Sequence, residues 1–118
     1  MDFKSKQEIF NDLNYAFRGV KLETGEKVMI AYEPRWAIGT DLIPDQQNLE
    51  EIMKLIRFWL SRRFSESWAK QIPLLYGGSV ASQNIISLLK IKHVNGVLIG
   101  RTATKPSELN QLLKTLIK

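Results

Sequence analysis

Apolar residues in the first half of the chain recur at helical spacings, interrupted by one short continuous run. Ile9, Phe10, Leu13 and Phe17 lie one, three and four positions apart, which predicts an amphipathic helix over about residues 4–17. Residues 28–32 form an apolar run of strand length, typical of a strand buried on both faces of a parallel sheet. A second amphipathic helix is predicted after Pro44-Asp45. Its apolar stripe consists of Leu49, Ile52, Met53, Ile56, Trp59 and Leu60.

The second half repeats this alternation of strand and helix. Residues 72–76 predict a strand with proline at its start, and Gly77-Gly78-Ser79 predict a turn. A third helix is marked by Ile85, Ile86, Leu88 and Leu89, and residues 94–99 predict a third strand. Pro106 suits the first turn of a last helix, and its leucines are expected to face inward: Leu109, Leu112, Leu113 and Leu116. The order α-β-α-β-α-β-α predicts an α/β fold with parallel strands and right-handed crossovers.

Length and composition limit what this fold can be. With 118 residues the chain is expected to form one domain over residues 1–118, whereas a complete eight-stranded barrel needs at least ~200 residues. The absence of cysteine excludes disulfides and thiolate metal sites, and we predict neither a metal nor a cofactor. No apolar stretch reaches the ~18 residues of a membrane span, and the first residues lack a signal-peptide core. We therefore expect a cytoplasmic location and no membrane partner.

The formal charge of +5 raises the question of an anionic partner. Basic and aromatic residues interleave over residues 57–64, where Arg57, Arg62 and Arg63 could contact nucleic acid. The alternative is an amphipathic helix with a solvated basic face. We favour the alternative, because the sequence matches no nucleic-acid-binding fold signature.

Three segments that could carry chemistry follow the three predicted strands. They are Glu33, the glycine-rich residues 76–80, and Gly100-Arg101. Parallel α/β sheets gather their sites at the carboxyl ends of strands, and glycine-rich loops let backbone amides approach a phosphate. Taken together they predict a small phosphorylated substrate held beside one carboxylate, although each segment alone could be an ordinary solvated acid or turn.

The run Tyr32-Glu33-Pro34-Arg35-Trp36-Ala37-Ile38-Gly39-Thr40 closely resembles the catalytic-glutamate and lid segment of triosephosphate isomerase. Residues 76–80 resemble the Tyr-Gly-Gly-Ser-Val that follows the family's seventh strand, and residues 95–100 resemble its eighth strand. The resemblance extends from the family's fifth helix to its last. It implies a partial TIM (β/α) barrel whose parallel strands correspond to the last three barrel strands.

The resemblance also implies an activity, the interconversion of dihydroxyacetone phosphate and glyceraldehyde 3-phosphate in glycolysis and gluconeogenesis. Glu33 would be the base that moves the proton. The substrate phosphate would be bound by Gly39, Ser79, Gly100 and Arg101. The lid and its latch would comprise Pro34, Trp36, Ala37, Ile38, Thr40 and Tyr76.

Several features depart from the family pattern. The family's electrophilic histidine and substrate lysine come from early strands that have no counterpart here, and His93 precedes the last strand, at the end opposite to the site. Arg35 replaces a small apolar hinge residue and could pair with Glu33 or face solvent. We therefore expect the isolated chain to be incomplete or inactive.

A three-stranded piece of barrel also exposes unpaired edges and an apolar face. We expect a homo-oligomer, or association with an amino-terminal barrel portion. The alternative function is a non-catalytic phosphate- or anion-binding module, or an oligomeric interaction module.

Overall fold

A three-stranded sheet with helices against it makes up the part of the chain described by the computed structural model, which covers residues 2–23, 26–35 and 44–117. In chain order the elements are α1 (Phe3–Ala16), β1 (Ile30–Tyr32), α2 (Gln46–Arg63), α3 (Glu66–Gln71), β2 (Leu74–Gly78), α4 (Ile85–Leu89), β3 (Gly96–Ile99), a 3₁₀ helix (Arg101–Thr104) and α5 (Pro106–Leu116).

The sheet has the order β1-β2-β3 and both pairings are parallel. Ile30 lies beside Leu74 at the start of β1, and Gly78 lies beside Ile99 at the end of β2. Each crossover contains helix, as expected for parallel strands. The predicted fold class, an α/β partial TIM barrel, is thereby confirmed.

Three of the helices, α1, α2 and α3, begin where a short polar side chain accepts a bond from a free backbone amide. The Asp2, Asp45 and Ser65 side chains accept hydrogen bonds from amides three residues later, at 2.8, 2.9 and 3.1 Å. Pro106 is the first residue of α5, where its missing N–H costs nothing. All six residues of the predicted stripe on α2 are buried, so that prediction is confirmed.

The structure differs from the sequence prediction in four respects. The six-residue helix α3, capped by Ser65, was not predicted and lies between α2 and β2. Gly77 and Gly78 are the last residues of β2 and not a turn, because they pair with Leu98 and Ile99. Each strand begins two residues later than predicted. On α5, Leu112 is fully buried, but Leu113 is exposed where an inward position was expected.

The hydrophobic core lies between the sheet and the helices α1, α2, α4 and α5. Every second residue of a strand faces this side, and Leu74 and Tyr76 of β2 are fully buried here. A cluster of Phe17, Trp59 and Phe64 joins α1 to the end of α2, with ring centroids 5.4 to 6.4 Å apart. The core therefore holds the sheet from one face only.

The opposite face of the sheet, here called the open face, carries Met29, Ala31, Leu75 and Leu98. Met29 is 66% exposed and Leu98 is 47% exposed. Within the described ranges, β1 and β3 each have a single neighbouring strand. The sheet thus presents an apolar face and two open edges. No helix in the described residues is long and apolar enough to cross a membrane.

Candidate active site at the carboxyl ends of the strands

The three segments predicted to carry chemistry lie at the carboxyl ends of the three strands. Glu33 follows β1, Ser79 follows β2, and Gly100-Arg101 follow β3. The strands are parallel and paired in register, with Tyr32 beside Tyr76 and Gly78 beside Ile99. Their carboxyl ends therefore converge, which is the placement that the sequence predicted for these residues.

Glu33 is exposed, and its side chain passes over Gly77 of β2. Its Cβ, Cγ and Cδ atoms lie 3.5 Å from where a Cβ at position 77 would be, so a side chain there would contact the stem of Glu33. The following residue, Pro34, is buried and fixes the direction in which the chain leaves the strand. The carboxylate is thus accessible from the side of the open strand ends.

Tyr76, on β2 next to this site, carries a buried hydroxyl group. Its side chain is fully buried, and its hydroxyl has no hydrogen-bond partner among the described residues. Burial raises the pKa of Tyr76 to about 12, and the nearby charges of Tyr32 and Glu33 add to the effect. Gly78 has a φ of +151°, and a Cβ there would lie 2.7 Å from the hydroxyl oxygen. Glycine at position 78 is therefore required by both backbone and space.

The loop after β2 is held in place by side chains from two later elements. The Asn84 side-chain amide donates to the Ser79 carbonyl at 2.7 Å and accepts from the Ala81 N–H at 2.9 Å. The buried Thr102 hydroxyl donates to the Val80 carbonyl at 2.9 Å. These bonds fix the Ser79 loop relative to the loop after β3, although sequence analysis assigned neither Asn84 nor Thr102 to the site.

The predicted lid is only partly within the described residues. Pro34 is buried and Arg35 is exposed. Five predicted site residues lie outside the described ranges: Trp36, Ala37, Ile38, Gly39 and Thr40. The latch role of Tyr76 would involve this segment and stays a prediction.

His93 lies at the other end of the sheet, as expected. It occupies the turn that leads into β3, with a φ of +72°. Burial lowers the pKa of His93, and the positive charges of Arg57 and Lys92 lower it further. Because His93 precedes β3 and Glu33 follows β1, the length of the strands separates the two residues. Over the described residues, no group of three or more His, Cys, Asp or Glu side chains could hold a metal ion.

Two of the three arginines in the basic segment of α2, Arg57 and Arg63, make hydrogen bonds within the fold. Arg57 donates to the carbonyls of Ala69 and Ile72 and to the Asn95 side chain. Arg63 donates to two backbone carbonyls in the loop after α1, at 3.2 and 2.9 Å. These bonds favour the structural interpretation of the basic segment over nucleic-acid binding.

Comparison with known proteins identifies the family to which the sequence is similar. The triosephosphate isomerase family model matches residues 2–116. The triosephosphate isomerase of Bradyrhizobium diazoefficiens is 43% identical over 91 residues, which cover 77% of this chain and 36% of that relative. The enzyme of Francisella tularensis subsp. holarctica is 36% identical over 110 residues, covering 93% of this chain and 43% of the relative.

A glycosomal triosephosphate isomerase of Trypanosoma cruzi is also similar. It is 39% identical over 84 residues, covering 71% of this chain and 34% of the relative. The chain therefore spans less than half the length of each of these curated relatives.

Proposed function

The chain belongs to the triosephosphate isomerase family, and we propose that it supplies the carboxyl-terminal part of an isomerase that interconverts dihydroxyacetone phosphate and glyceraldehyde 3-phosphate. The observation that carries the proposal is the exposed Glu33 at the same end of the sheet as the loops that follow β2 and β3. Three of the eight strands of a barrel are about 38% of its strands. This fraction agrees with the 36% and 43% of the relatives' lengths that the chain covers.

In this function Glu33 acts as the general base. It takes a proton from one of the two adjacent substrate carbons and returns it to the other, so that a ketose becomes an aldose without any redox partner. A general base has to reach the proton within hydrogen-bond distance. Gly77 has no side chain where the stem of Glu33 passes over β2, which leaves room for the carboxylate to reach a substrate.

The substrate phosphate is bound by backbone amides of Gly39, Ser79, Gly100 and Arg101. Amides that converge on one point stabilise a dianion, provided that the loops carrying them are rigid. The bonds from Asn84 to the Ser79 loop and from Thr102 to the Val80 carbonyl supply this rigidity. The exposed Arg101 side chain adds positive charge on the same side.

A lid made of Pro34, Trp36, Ala37, Ile38 and Thr40 closes over the bound substrate and excludes water. The Tyr76 hydroxyl forms the latch. A buried hydroxyl without a partner in the described residues supports this role, because buried polar groups are normally hydrogen-bonded.

The chain by itself is an incomplete enzyme in this proposal. It forms one partial-barrel domain over residues 1–118, and its single histidine lies at the far end of the sheet from Glu33. An electrophilic histidine and a substrate-binding lysine have to come from the remaining strands of a barrel. The partner is an amino-terminal barrel portion, and the expected location is the cytoplasm.

An isomerase assay tests the proposal. The chain is measured alone and after co-expression with the amino-terminal remainder of the Francisella tularensis relative. We expect turnover only in the assembled pair, and its loss by at least about a hundredfold in Glu33→Gln. Glu66→Gln, a matched change of an exposed acid at the other end of the sheet, should keep the activity. Robust turnover by the isolated chain would contradict its incompleteness, and an assembled pair without turnover would contradict the isomerase function.

The alternative function, a phosphate-binding module, is favoured by one observation. The Ser79 loop is braced entirely by residues of this chain, so it keeps its shape without the other strands. Titration of the isolated chain with glycerol 3-phosphate tests this alternative, with Ser79→Pro as the variant that removes one loop amide. Absence of binding by the unaltered chain would exclude the module.

A further inference from the structure

The side chain of Asn95, the residue just before β3, holds two donors with a single oxygen. Its Oδ1 accepts from the Leu74 N–H at 2.8 Å and from the Arg57 guanidinium at 2.5 Å. Its backbone N–H donates to the Leu74 carbonyl at 2.8 Å. The residue is exposed, and its Nδ2 makes no hydrogen bond within the described ranges. The amide thus offers one acceptor where the fold presents two donors.

A carboxylate would suit this position better than the amide does. It has one oxygen for each of the two donors, and bonds between charged groups are about twice as strong as neutral ones. The Arg57 guanidinium is fixed here, because it also donates to the carbonyls of Ala69 and Ile72. Burial lowers the pKa of the adjacent His93, and the positive charges of Arg57 and Lys92 lower it further. These positive charges favour an anionic group at this end of β3.

The residue that follows Asn95 makes this conversion chemically accessible. Gly96 has no Cβ, so its amide nitrogen can approach the Cγ of the preceding asparagine with little steric hindrance. Every other asparagine of the chain is followed by a larger residue. These are Asn11, Asn14, Asn48, Asn84 and Asn110. Asn95 is therefore the asparagine whose side chain is most easily attacked by the next backbone nitrogen.

We propose that Asn95 is a deamidation site whose aspartate product forms an ion pair with Arg57. The Gly96 nitrogen loses its proton to solvent and bonds to Cγ of Asn95, and Nδ2 takes up a proton and leaves as ammonia. Water then opens the succinimide ring. Cleavage of the new bond to Cγ gives aspartate, and cleavage of the bond to the main-chain carbonyl carbon gives isoaspartate. In either case asparagine and water become an acid and ammonia, without a redox partner.

The fold controls both when the reaction occurs and which product it keeps. Asn95 is bonded to Leu74 through its backbone and its side chain, and Gly96 pairs with Leu75. Ring closure requires the side chain to leave Leu74, so it takes place in the unfolded or locally opened chain. On refolding, aspartate fits the existing bonds. Isoaspartate lengthens the main chain just before β3 and disturbs the register of that strand.

Peptide mapping by mass spectrometry tests the reactivity of Asn95. The chain is incubated at mildly alkaline pH in buffer and in concentrated urea. In urea we expect Asn95 to react at least about tenfold faster than the other asparagines and than Asn95 in Gly96→Ala. In buffer its reaction should be at least about tenfold slower than in urea. The Cβ of Gly96→Ala would meet only the end of the Leu75 side chain, at 2.9 Å. Equal rates in any of these comparisons would overturn the proposal.

Urea unfolding of the separated products tests the ion pair with Arg57. Ion exchange of the refolded chain resolves the deamidated forms, which carry an additional negative charge. We expect a higher urea midpoint for the aspartate form than for the unmodified chain and a lower one for the isoaspartate form. The gain should shrink in high salt and in Arg57→Gln, but persist in Arg62→Gln, a matched change of an exposed arginine on α2. An aspartate form without a gain, or a gain that resists high salt, would overturn the proposal even if Arg57→Gln does not fold.

Discussion

Replacement of Tyr76 by phenylalanine is expected to stabilise the isolated chain, although it removes a hydrogen-bonding group. The tyrosine side chain is fully buried, and its hydroxyl has no partner among the described residues. A buried hydroxyl without a partner costs about 1–3 kcal/mol of folding free energy. Removal of the oxygen leaves a small void above Gly78, which offsets part of this gain. We therefore expect Tyr76→Phe to raise the free energy of unfolding by about 1 kcal/mol, or the Tm by about 4 °C.

The pH dependence of stability offers a second measure of the same group. Burial raises the pKa of Tyr76 from 10.0 to about 12. As the pH rises above 10.0, the unfolded chain loses this proton before the folded chain does, so folding stability falls until about pH 12. The resulting decrease in the free energy of unfolding is at most about 2–3 kcal/mol. Tyr76→Phe should lack this decrease.

Urea unfolding at neutral pH and at several values up to about pH 12 measures both effects. Tyr15→Phe is the matched control, because Tyr15 is 78% exposed and its hydroxyl is solvated. It should leave stability and its alkaline decrease unchanged, and the comparison removes contributions that do not come from Tyr76. A Tyr76→Phe protein less stable than the unaltered chain would refute the reasoning, since the hydroxyl would then have a partner outside the described ranges.

Three further variants test separate features. Asn95→Asp should raise the free energy of unfolding by about 1 kcal/mol in urea, because the Arg57 guanidinium, 2.5 Å from the Asn95 oxygen, would gain a carboxylate partner; a less stable protein would contradict this. Gly78→Ala should lower the free energy of unfolding by about 2 kcal/mol, because φ is positive there and the new Cβ would lie 2.7 Å from the Tyr76 hydroxyl oxygen. Gly100→Ala is the control and should change it little, because the space around Gly100 is open. Equal losses in the two variants would show that the close approach to Tyr76 does not limit position 78. Burial lowers the pKa of His93, so the unfolded chain takes up this proton first as the pH falls, and folding stability is lost below about pH 6.5. His93→Gln should reduce this loss, measured as the Tm in thermal melts at several pH values. An unchanged dependence of Tm on pH would rule out His93 as its source.

Much of the fold was predictable because its signals are local and periodic. The stripe of α2 from Leu49 to Leu60 repeats over several turns, and all its members are buried. The six-residue helix α3 spans fewer than two turns, so no period could reveal it. The strand character of Gly77-Gly78 arises from pairing with β3, which lies about twenty residues further along the chain. Their composition alone is typical of a turn.

The candidate site, too, could be predicted only in part. The convergence of Glu33, Ser79 and Gly100 could be predicted, since each directly follows a strand and parallel strands end at one edge. The bond from Thr102 to the Val80 carbonyl joins residues 22 positions apart. A hydroxyl residue after Gly100-Arg101 carries no sequence signal for that contact, and only packing of the two loops creates it.

Exchange of substrate hydrogen with solvent tests the central claim most directly, because it reports proton abstraction by Glu33 even when later steps are slow. The assembled pair of chains is incubated with dihydroxyacetone phosphate in deuterated water, and deuterium at the carbon beside the carbonyl is followed by nuclear magnetic resonance. We predict exchange by the pair, and none above background by the pair that carries Glu33→Gln. Equal exchange in both pairs would contradict the assignment of Glu33 as the base and with it the proposed function.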